Sequence, residues 1–502
     1  MSAAKRTTTI DHVLKYTGIF GGVQGLNVLI SVARSKLATK LLGAAGMGFM
    51  GVYLAINEFV TSSSNLGIPF SSVRHISELF ESDDAEAIRH FVCVVRTCCL
   101  WTSVLACLLC VLCAPLLNIM FFDGCEATTW HSALVAPMAV ASIVTGGEIS
   151  ILKGTRRLKR VATISLLSAL ALLCLTIPIF WLLATDGILL ALNVTALATL
   201  AIHMAFTLPL FPYRVSPFSA SVLRDGWGMI RIGIPYVFAA MAGSGCAMAV
   251  SALLLRFGSI EEVGFYRAAT AVMVGYAGIV FTALESDFFP RLSSVNHDLI
   301  RRNLCINQQV QVCVSLIGPF LIALAVMMPV VLHIIYADEF MIIESMTLAA
   351  VFYSFLRAVA IPISYMALAH GDSTLYLIME VFSDIAMLVL VVGGYYCMGL
   401  VGAGAGLSAS ALFDLILTGS CYAWHYGFRF ERHTVVVIVV QTLFVAAAVA
   451  TCFCLTQAPR YILGFVVLAV SAAFAVKSLG KDSAAIQRIA RKLNIPIRDT
   501  HA

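Results

Sequence analysis

Residues 161–184 read VATISLLSALALLCLTIPIFWLLA, an unbroken apolar stretch without a single charged side chain. A helix of about 20 apolar residues is long enough to cross the hydrocarbon core of a bilayer. Similar stretches recur along the chain, which is 60% hydrophobic and only 12% charged, whereas soluble domains are about 25% charged. The stretches are too long and too continuous for the strands of a membrane barrel. Helices remain, because they satisfy every backbone polar group inside lipid.

The apolar stretches predict an all-α polytopic membrane protein with about 14 transmembrane helices, here called spans 1 to 14. Their connections are short, so no soluble domain is inserted between them. The spans cover residues 16–40, 46–70, 91–114, 131–152, 161–184, 188–211, 233–256, 264–289, 310–334, 345–369, 375–397, 399–423, 434–456 and 461–479.

The basic residues in the loops predict the orientation of the chain. With the N-terminus inside, nearly all loop Lys and Arg residues are cytoplasmic, and only Lys40, Arg256 and Arg460 lie outside. This asymmetry is typical of inner-membrane proteins and predicts two cytoplasmic termini. The tail 481–502 has the pattern of an amphipathic basic helix that lies on anionic phospholipid, with a plain stop-transfer tail as the alternative.

A weak internal repeat with a period of about 215 residues predicts the domain organisation. LNIMFFD at 117–123 resembles LHIIYAD at 332–338, and Lys153-Gly154 recurs as His370-Gly371. We expect two six-helix lobes, 1–210 and 211–430, with spans 13 and 14 in 431–480 outside the repeat. Parallel repeats of this kind are a transporter architecture with the substrate site at the repeat interface.

The segment SVARSKLATKLLGAAGMG at 31–48 resembles the first loop of polysaccharide flippases, in which Leu-Gly ends one helix and Gly-x-Gly opens the next. Residues 65–68 and 72–78 are similar to the end of that family's second helix. In spacing, the resemblance extends over nearly the whole chain. It is to the Wzx-type O-antigen and oligosaccharide flippases of the MOP exporter superfamily, which also contains MATE drug exporters and lipid II flippases.

The resemblance implies a function in lipopolysaccharide and polysaccharide biosynthesis. It implies transport of undecaprenyl-pyrophosphate-linked oligosaccharide from the inner to the outer leaflet of the bacterial inner membrane, by alternating access. The implied partners are the lipid-linked oligosaccharide, a glycan polymerase and a chain-length regulator, with no nucleic acid.

Basic residues inside the spans are the candidates for holding the pyrophosphate. An ionisable residue at a helix centre costs about 2.5–3.5 kcal/mol on insertion, so it usually faces protein or water. The guanidinium fork of Arg also matches phosphate oxygens. The candidates are Arg34, Lys36, Arg267 and Arg357. The alternatives are snorkelling to the interface for the first three and an ion pair with Asp384 or Asp414 for Arg357. Arg96 is expected to snorkel.

Acidic residues inside the spans are candidates for proton or ion coupling, namely Glu58, Asp384 and Asp414. A buried structural pair is the alternative for Glu58. Arg74, Glu285 and Asp287 lie near the inner ends of spans, where we expect gate residues.

Three competing functions are considered. A MATE-like, ion-coupled exporter of small cations predicts an acidic cavity, whereas span 1 is basic. A lipid II flippase is a second alternative. A membrane glycan polymerase or ligase needs a sizeable loop with catalytic groups, and the loops here are short. The chain has no Gly-x-x-x-x-Gly-Lys loop for ATP and no metal-ligand spacing among its 15 cysteines. We therefore expect a transporter, not an enzyme, that needs no cofactor.

Overall fold

The structure is a computed structural model that describes residues 3–82, 84–121, 133–276, 278, 288–289, 291–295, 298–455 and 457–479, with side chains from residue 22 onward except at 232, 235, 276 and 457. Within these ranges every regular element is a helix, which confirms the all-α fold class.

The helices are numbered here in chain order. They are α1 (Ala3–Ser64), α2 (Ile68–Glu81), α3 (Ala85–Phe121), α4 (Ala136–Gly154), α5 (Leu158–Leu183), α6 (Ile188–Thr207), α7 (Ala220–Phe257), α8 (Ile260–Thr270), α9 (Leu299–Val326), α10 (Met328–Ile335), α11 (Glu344–Ala349), α12 (Val351–His370), α13 (Ser373–Tyr426), α14 (Arg432–Cys454) and α15 (Gln457–Leu479). Short 3-10 segments at Ala184–Gly187 and Asp338–Ile343 and a π-helical turn at Ala271–Tyr276 join some of them.

Nine helices in the described ranges are long and apolar enough to cross a membrane. Three of them, Gly22–Ser64, Leu158–Thr207 and Ser373–Tyr426, have 43, 50 and 54 residues, roughly twice the length that one crossing needs. Each is interrupted near its middle and supplies two of the predicted spans. Span 4 corresponds to α4, and much of span 8 lies outside the described residues. The chain is thus a multi-pass membrane protein, while the count of 14 spans stays a prediction.

Two of the interruptions are made by glycine. Gly43 in α1 has φ 66° and ψ −175°, and Gly399 in α13 has φ 60° and ψ −145°. Side chains make this backbone region strained for every residue except glycine. In α13 the two halves then return so closely that a Cβ on Gly394 would lie 2.2 Å from the carbonyl oxygen of Gly402. The helix α13 is therefore two packed spans joined at Gly399.

The chain forms two compact units. The first contains Met1–Ala252 with Ile334–Ala337, and the second contains Leu253–His333 with Asp338–Ala502. In the first unit α4 packs against α2, α3 and α6, and α5 packs against α1 and α6. In the second unit α12 packs on α13, and α9 packs on α12, α14 and α15. The lobe boundaries proposed from the sequence stay a prediction.

A buried hydrogen bond between the last two helices packs against α9. Gln441 of α14 accepts a hydrogen bond from the Ser471 hydroxyl of α15 at 2.7 Å. Gly318 of α9 lies beneath it, where a Cβ would come within 2.8 Å of the Gln441 Oε1. Small residues and interhelical hydrogen bonds are how helices associate in lipid, where apolar burial gives little drive.

Each unit contains an arginine that caps the end of a distant helix. Arg96 of α3 donates to the carbonyls of Phe211 and Pro212, just after α6, at 3.0 and 2.9 Å. Arg302 of α9 donates to the carbonyl of Tyr426 at the end of α13 and lies over its ring at 5.9 Å. In each unit, an arginine thus joins one helix to the end of another helix more than 100 residues away in sequence.

Candidate functional site

A cavity of about 270 Å³ lies inside the first unit. The two halves of α1 form one side of it, and α4, α5 and α6 form the rest. Among the described residues that line it, one is charged and six others carry hydroxyls. The full lining is Arg34, Ser35, Ala38, Met47, Met50, Leu54, Met138, Ser142, Thr145, Leu172, Thr176, Phe180, Leu192, Thr195, Ala196 and Thr199.

Arg34 is the charged residue of this cavity. Its side chain is half-buried, and it makes no hydrogen bond or ion pair with any residue in the described part of the chain. A desolvated charge without a counter-charge is unfavourable, and in a membrane-spanning helix it marks a functional position. The guanidinium can therefore bind an anion that enters the cavity.

The structure separates the four predicted pyrophosphate ligands. Lys36 is two residues from Arg34, yet its Nζ donates to the backbone carbonyl of Tyr336, and it does not line the cavity. Arg267 and Arg357 belong to the second unit, where Arg267 is half-buried on α8. Arg34 is thus the predicted ligand that the structure places on a cavity wall.

Arg357 lies in a cluster of ionisable groups in the second unit. Its Nη1 is 3.4 Å from Oδ2 of Asp414, which is the partner considered from the sequence. Asp414 also accepts hydrogen bonds from Ser383 at 2.6 Å and from Thr418 at 3.3 Å. The Asp414 side chain is 14% exposed, so these contacts replace most of its water.

Two further carboxylates complete this acidic cluster. Glu380 and Asp384 are four residues apart on α13, on one face, and both are close enough to Arg357 and Asp414 to interact electrostatically. Glu380 is also hydrogen-bonded to Tyr376. With three carboxylates around one guanidinium, the cluster attracts a cation or a proton more readily than a pyrophosphate.

The other predicted site residues belong to neither the cavity lining nor the acidic cluster. Glu58 is exposed on α1 and forms no ion pair within the described ranges, so the buried pair considered for it is not observed. Arg74 is exposed on α2 and pairs with Glu78 at 3.0 Å. Glu285 and Asp287 lie outside the described residues.

The prediction that Arg96 snorkels is wrong. Its side chain is 2% exposed and forms a two-point ion pair with Glu148 of α4, at 2.7 and 3.0 Å. Snorkelling requires a path to the interface. Here the chain after α6 covers the guanidinium and supplies two carbonyl acceptors, so the charge is satisfied inside the protein.

Sequence reasoning missed the hydroxyl side chains of the cavity. A signal existed, since Ser142 and Thr145 are three residues apart and Thr195 and Thr199 are four apart, which puts each pair on one helix face. Threonine and serine are common in membrane helices, however, so the spacing alone does not select these from the rest.

Comparison with known proteins agrees with this architecture. A family model for polysaccharide biosynthesis proteins matches residues 13–296, more than half of the chain and the whole cavity. No curated protein matches the chain in sequence. Among solved structures, lipid II flippase MurJ in an inward closed conformation has a TM-score of 0.66 and 12% identity, over 92% of this chain and 99% of that chain.

Two further solved structures share the fold. An inward-facing multidrug resistance MATE family transporter has a TM-score of 0.58 and 14% identity, over 79% of this chain and 95% of that chain. A MOP superfamily transporter from Pyrococcus furiosus has a TM-score of 0.53 and 12% identity, over 86% and 93%. At 12–14% sequence identity, the similarity to these three structures shows a shared fold.

The helical fold is similar to that of solved MOP-superfamily transporters. By its sequence, the chain belongs to the polysaccharide biosynthesis protein family.

Proposed function

We propose that this protein is a flippase for undecaprenyl-pyrophosphate-linked oligosaccharide. It moves the glycan lipid from the inner to the outer leaflet of a bacterial inner membrane, with both termini in the cytoplasm. The observation that carries the proposal is Arg34, which lies on the wall of a cavity inside a membrane-spanning unit and has no partner in the described part of that unit. Family membership and the likeness to a lipid II flippase support the same class of substrate.

The charge of Arg34 favours an anionic substrate group. A charged side chain at mid-membrane costs about 2.5–3.5 kcal/mol on insertion scales, and an anion beside it offsets that cost. Arginine forms two parallel hydrogen bonds with phosphate oxygens, so a pyrophosphate suits it in geometry as well as in charge. A cation exporter is disfavoured, because the described residues lining this cavity include no carboxylate.

The predicted topology assigns this cavity to the outer half of the membrane. With the N-terminus inside, Arg34 is near the outer end of span 1, and Met47 is near the outer start of span 2. Thr176 and Thr195 likewise lie near the outer ends of spans 5 and 6. A substrate held there has its head group close to the side to which the flippase delivers it.

The acidic cluster of the second unit suits ion coupling. Glu380, Asp384 and Asp414 carry two more negative charges than Arg357 neutralises when all are ionised. A cation or proton bound there reduces the repulsion among the carboxylates. Its entry down a gradient then provides free energy for returning the empty carrier.

Transport by an Arg34→Gln variant tests the proposal. Purified protein is reconstituted into vesicles with a fluorescent glycan-linked undecaprenyl pyrophosphate, and a membrane-impermeant quencher reports its leaflet. We expect the initial rate to fall by about 10- to 100-fold, since hydrogen bonds to charged groups contribute about 1.5–3 kcal/mol. Arg34→Lys, which keeps the charge and loses the fork, should retain part of the rate.

Arg301→Gln is the matched control, because Arg301 is 76% exposed and pairs only locally with Asp298. Its rate should equal that of the wild-type protein at equal reconstitution. An Arg34→Gln rate equal to the control's would remove Arg34 from the site. Failure of the wild-type protein to move the glycan lipid would overturn the proposed function itself.

A further inference from the structure

A polar cluster joins the ends of three helices in the second unit. His370 is the last residue of α12, Arg302 lies in the first turn of α9, and Tyr426 is the last residue of α13. Nη1 of Arg302 is 2.9 Å from Nε2 of His370, and Nη2 donates to the backbone carbonyl of Tyr426. The rings of His370 and Tyr426 stack with their centroids 4.5 Å apart. The predicted topology assigns these helix ends to the cytoplasmic side of the membrane.

The partners of His370 determine its charge and its tautomer. Nδ1 is 2.9 Å from the carbonyl oxygen of Met366, which can only accept a hydrogen bond, so Nδ1 carries a proton. Arginine has only donors, so Nε2 faces Arg302 with its lone pair and carries no proton. The imidazole is therefore neutral here. A second proton has its place only at Nε2, and it cannot be added there while Arg302 keeps this contact.

Arg302 belongs to a face of α9 that binds the connection 427–431 between α13 and α14. Asn303 and Asn307 donate to backbone carbonyls of this connection at 3.1 and 3.0 Å. Asn307 also accepts from the backbone amide of Glu431 at 2.9 Å. Arg302 itself is 5% exposed, so a second cation beside it is poorly screened by water. The contacts of this face hold the connection on α9.

Asp372 is an alternative partner for a protonated His370. Its Oδ2 accepts from the hydroxyl of Tyr426 at 3.3 Å, on the ring that stacks with His370. Its Oδ1 accepts from the amide of Leu375 at 3.1 Å and caps the start of α13. The cap keeps the carboxylate close to the imidazole. A neutral His370 thus suits Arg302, whereas a cationic His370 suits Asp372.

Further ionisable groups contact His370 or its partners. They come from α9 and from both ends of α13, namely Arg302, Asp372, Tyr422, His425 and Tyr426, with Cys421 close to the last of them. Histidine is the side chain that ordinarily changes charge between about pH 5 and 8, so His425 must be considered beside His370. Its Nε2 is 3.8 Å from Oδ2 of Asp372, and protonation strengthens that contact instead of breaking one. A loss of contacts on acidification therefore points to His370.

We propose that this cluster is a cytoplasmic pH switch that holds or releases the connection 427–431. At high pH His370 is neutral and accepts from Arg302, and the connection is held. As the pH falls, the proton added at Nε2 removes that acceptor and places two cations side by side. Arg302 then withdraws, His370 pairs with Asp372, and the connection loosens. The switch lets cytoplasmic pH act on α13, which also carries Asp414 of the acidic cluster, and it requires no particular substrate.

Hydrogen–deuterium exchange of the purified full-length protein tests the switch. The Glu431 amide reports release, because it is bound to Asn307. After correction for the intrinsic pH dependence of exchange, we expect its protection to fall about tenfold between about pH 8 and about pH 5.5. His370→Gln should abolish this fall, because the glutamine oxygen accepts from Arg302 but gains no proton. Protection that does not change with pH in the wild-type protein would overturn the proposal.

Two other histidines separate this switch from a general effect of acid. His90 forms an exposed ion pair at 2.9 Å in the first unit, and His90→Gln should keep the full pH dependence of 427–431. His425→Gln should keep it as well, because protonation of His425 does not release Arg302. If the dependence persists in His370→Gln and disappears in His425→Gln, the contact between His370 and Arg302 is not the switch.

Asp372→Asn gives a second test, which also serves if His370→Gln does not fold. Asparagine still caps α13 and accepts from Tyr426, but it offers no negative charge to a cationic His370. The fall in protection should therefore occur at a lower pH than in the wild-type protein. A midpoint at the same pH or at a higher pH would contradict the exchange of partners.

Discussion

Arg96 of α3 and Glu148 of α4 form an ion pair whose side chains are 2% and 1% exposed. Nε and Nη2 of the arginine each donate to one carboxylate oxygen, and Nη1 donates to the carbonyls after α6. Every strong acceptor around the guanidinium therefore comes from an element that the sequence places far from it. This pair holds α3, α4 and the end of α6 together.

Removing one partner of this pair should destabilise the protein. Glu148→Leu leaves a buried guanidinium without its counter-charge, which typically costs about 3–5 kcal/mol. The double variant Arg96→Leu and Glu148→Leu should be more stable than Glu148→Leu alone, since no charge remains uncompensated. Thermal unfolding in detergent measures both. Glu78→Gln, in the exposed pair with Arg74, is the control, and an equal melting temperature for it and Glu148→Leu would contradict the prediction.

Alanine substitutions at two glycines of α13 allow the free-energy cost of a strained backbone to be measured separately from the effect of helix propensity. Gly399 has φ 60°, and nothing lies within 4 Å of a Cβ placed on it, so Gly399→Ala tests the backbone alone. We expect a loss of about 1–2 kcal/mol, the cost of a left-handed conformation for an L-residue. Gly393 is equally open but helical, and Gly393→Ala should be neutral or stabilising. Unfolding temperatures in the opposite order would exclude Gly399 as the hinge of α13.

The acidic cluster of the second unit should control ion dependence. Asp384→Asn removes one of the three carboxylates without unpairing Arg357 from Asp414. We expect stimulation of transport by an imposed sodium or proton gradient to disappear, while the gradient-free rate remains. Glu339→Gln, at an exposed position, is the charge-matched control and should respond like the wild type. Full stimulation in Asp384→Asn would exclude Asp384 as a coupling residue.

The membrane potential should drive the flip. A pyrophosphate diester carries about two negative charges, and moving one charge across the membrane corresponds to about 2.3 kcal/mol per 100 mV. With the inside negative, outward movement of the anion is favourable, and Arg34 lowers the cost of desolvation without supplying the drive. An imposed potassium diffusion potential, negative inside, should therefore raise the initial rate in vesicles with uniformly oriented protein. Equal rates at both signs of potential, with no pH gradient, refute this prediction.

Glu58 is the candidate for a separate proton site. It is exposed on α1 in the middle of a predicted span, where a carboxylate is expected to meet water. Glu58→Gln should alter the pH dependence of transport in the same vesicles. The role is excluded if the pH profile of the variant superimposes on that of the wild type.

Cysteine labelling tests the orientation of the chain. Asp186 is exposed between α5 and α6 and is predicted to lie outside, whereas Arg157 is exposed between α4 and α5 and is predicted to lie inside. An impermeant thiol reagent should label Asp186→Cys, but not Arg157→Cys, in intact cells. Thr155, in the same inner loop, is only 4% exposed and is unsuitable. The parent chain with its own cysteines is the background, and the reverse pattern would overturn the topology.

The amino-acid sequence by itself determined the class of fold. In lipid, an apolar run such as 161–184 can satisfy its backbone only as a helix. The helix interruption at Gly43 falls between predicted spans 1 and 2, and the interruption at Met398 and Gly399 falls where predicted span 11 ends and span 12 begins. The sequence also identified Arg34 and Arg357 as charged residues inside predicted spans. The free energy of inserting such a residue into lipid depends on its type and depth, which can be estimated from the sequence. Both residues were therefore expected to be functional or ion-paired.

Only the tertiary structure decided which of those charges are satisfied. Arg357 pairs with Asp414, and Arg96 pairs with Glu148 and two carbonyls, whereas Arg34 lies on a cavity wall and has no partner among the residues that the structure describes. Ion pairing depends on which helices pack together and on the rotation of each helix about its axis. For residues more than 50 positions apart, the sequence pattern does not show either. The cavity depends on tertiary structure for the same reason, since α4, α5 and α6 must pack together before Ser142, Thr176 and Thr195 line it.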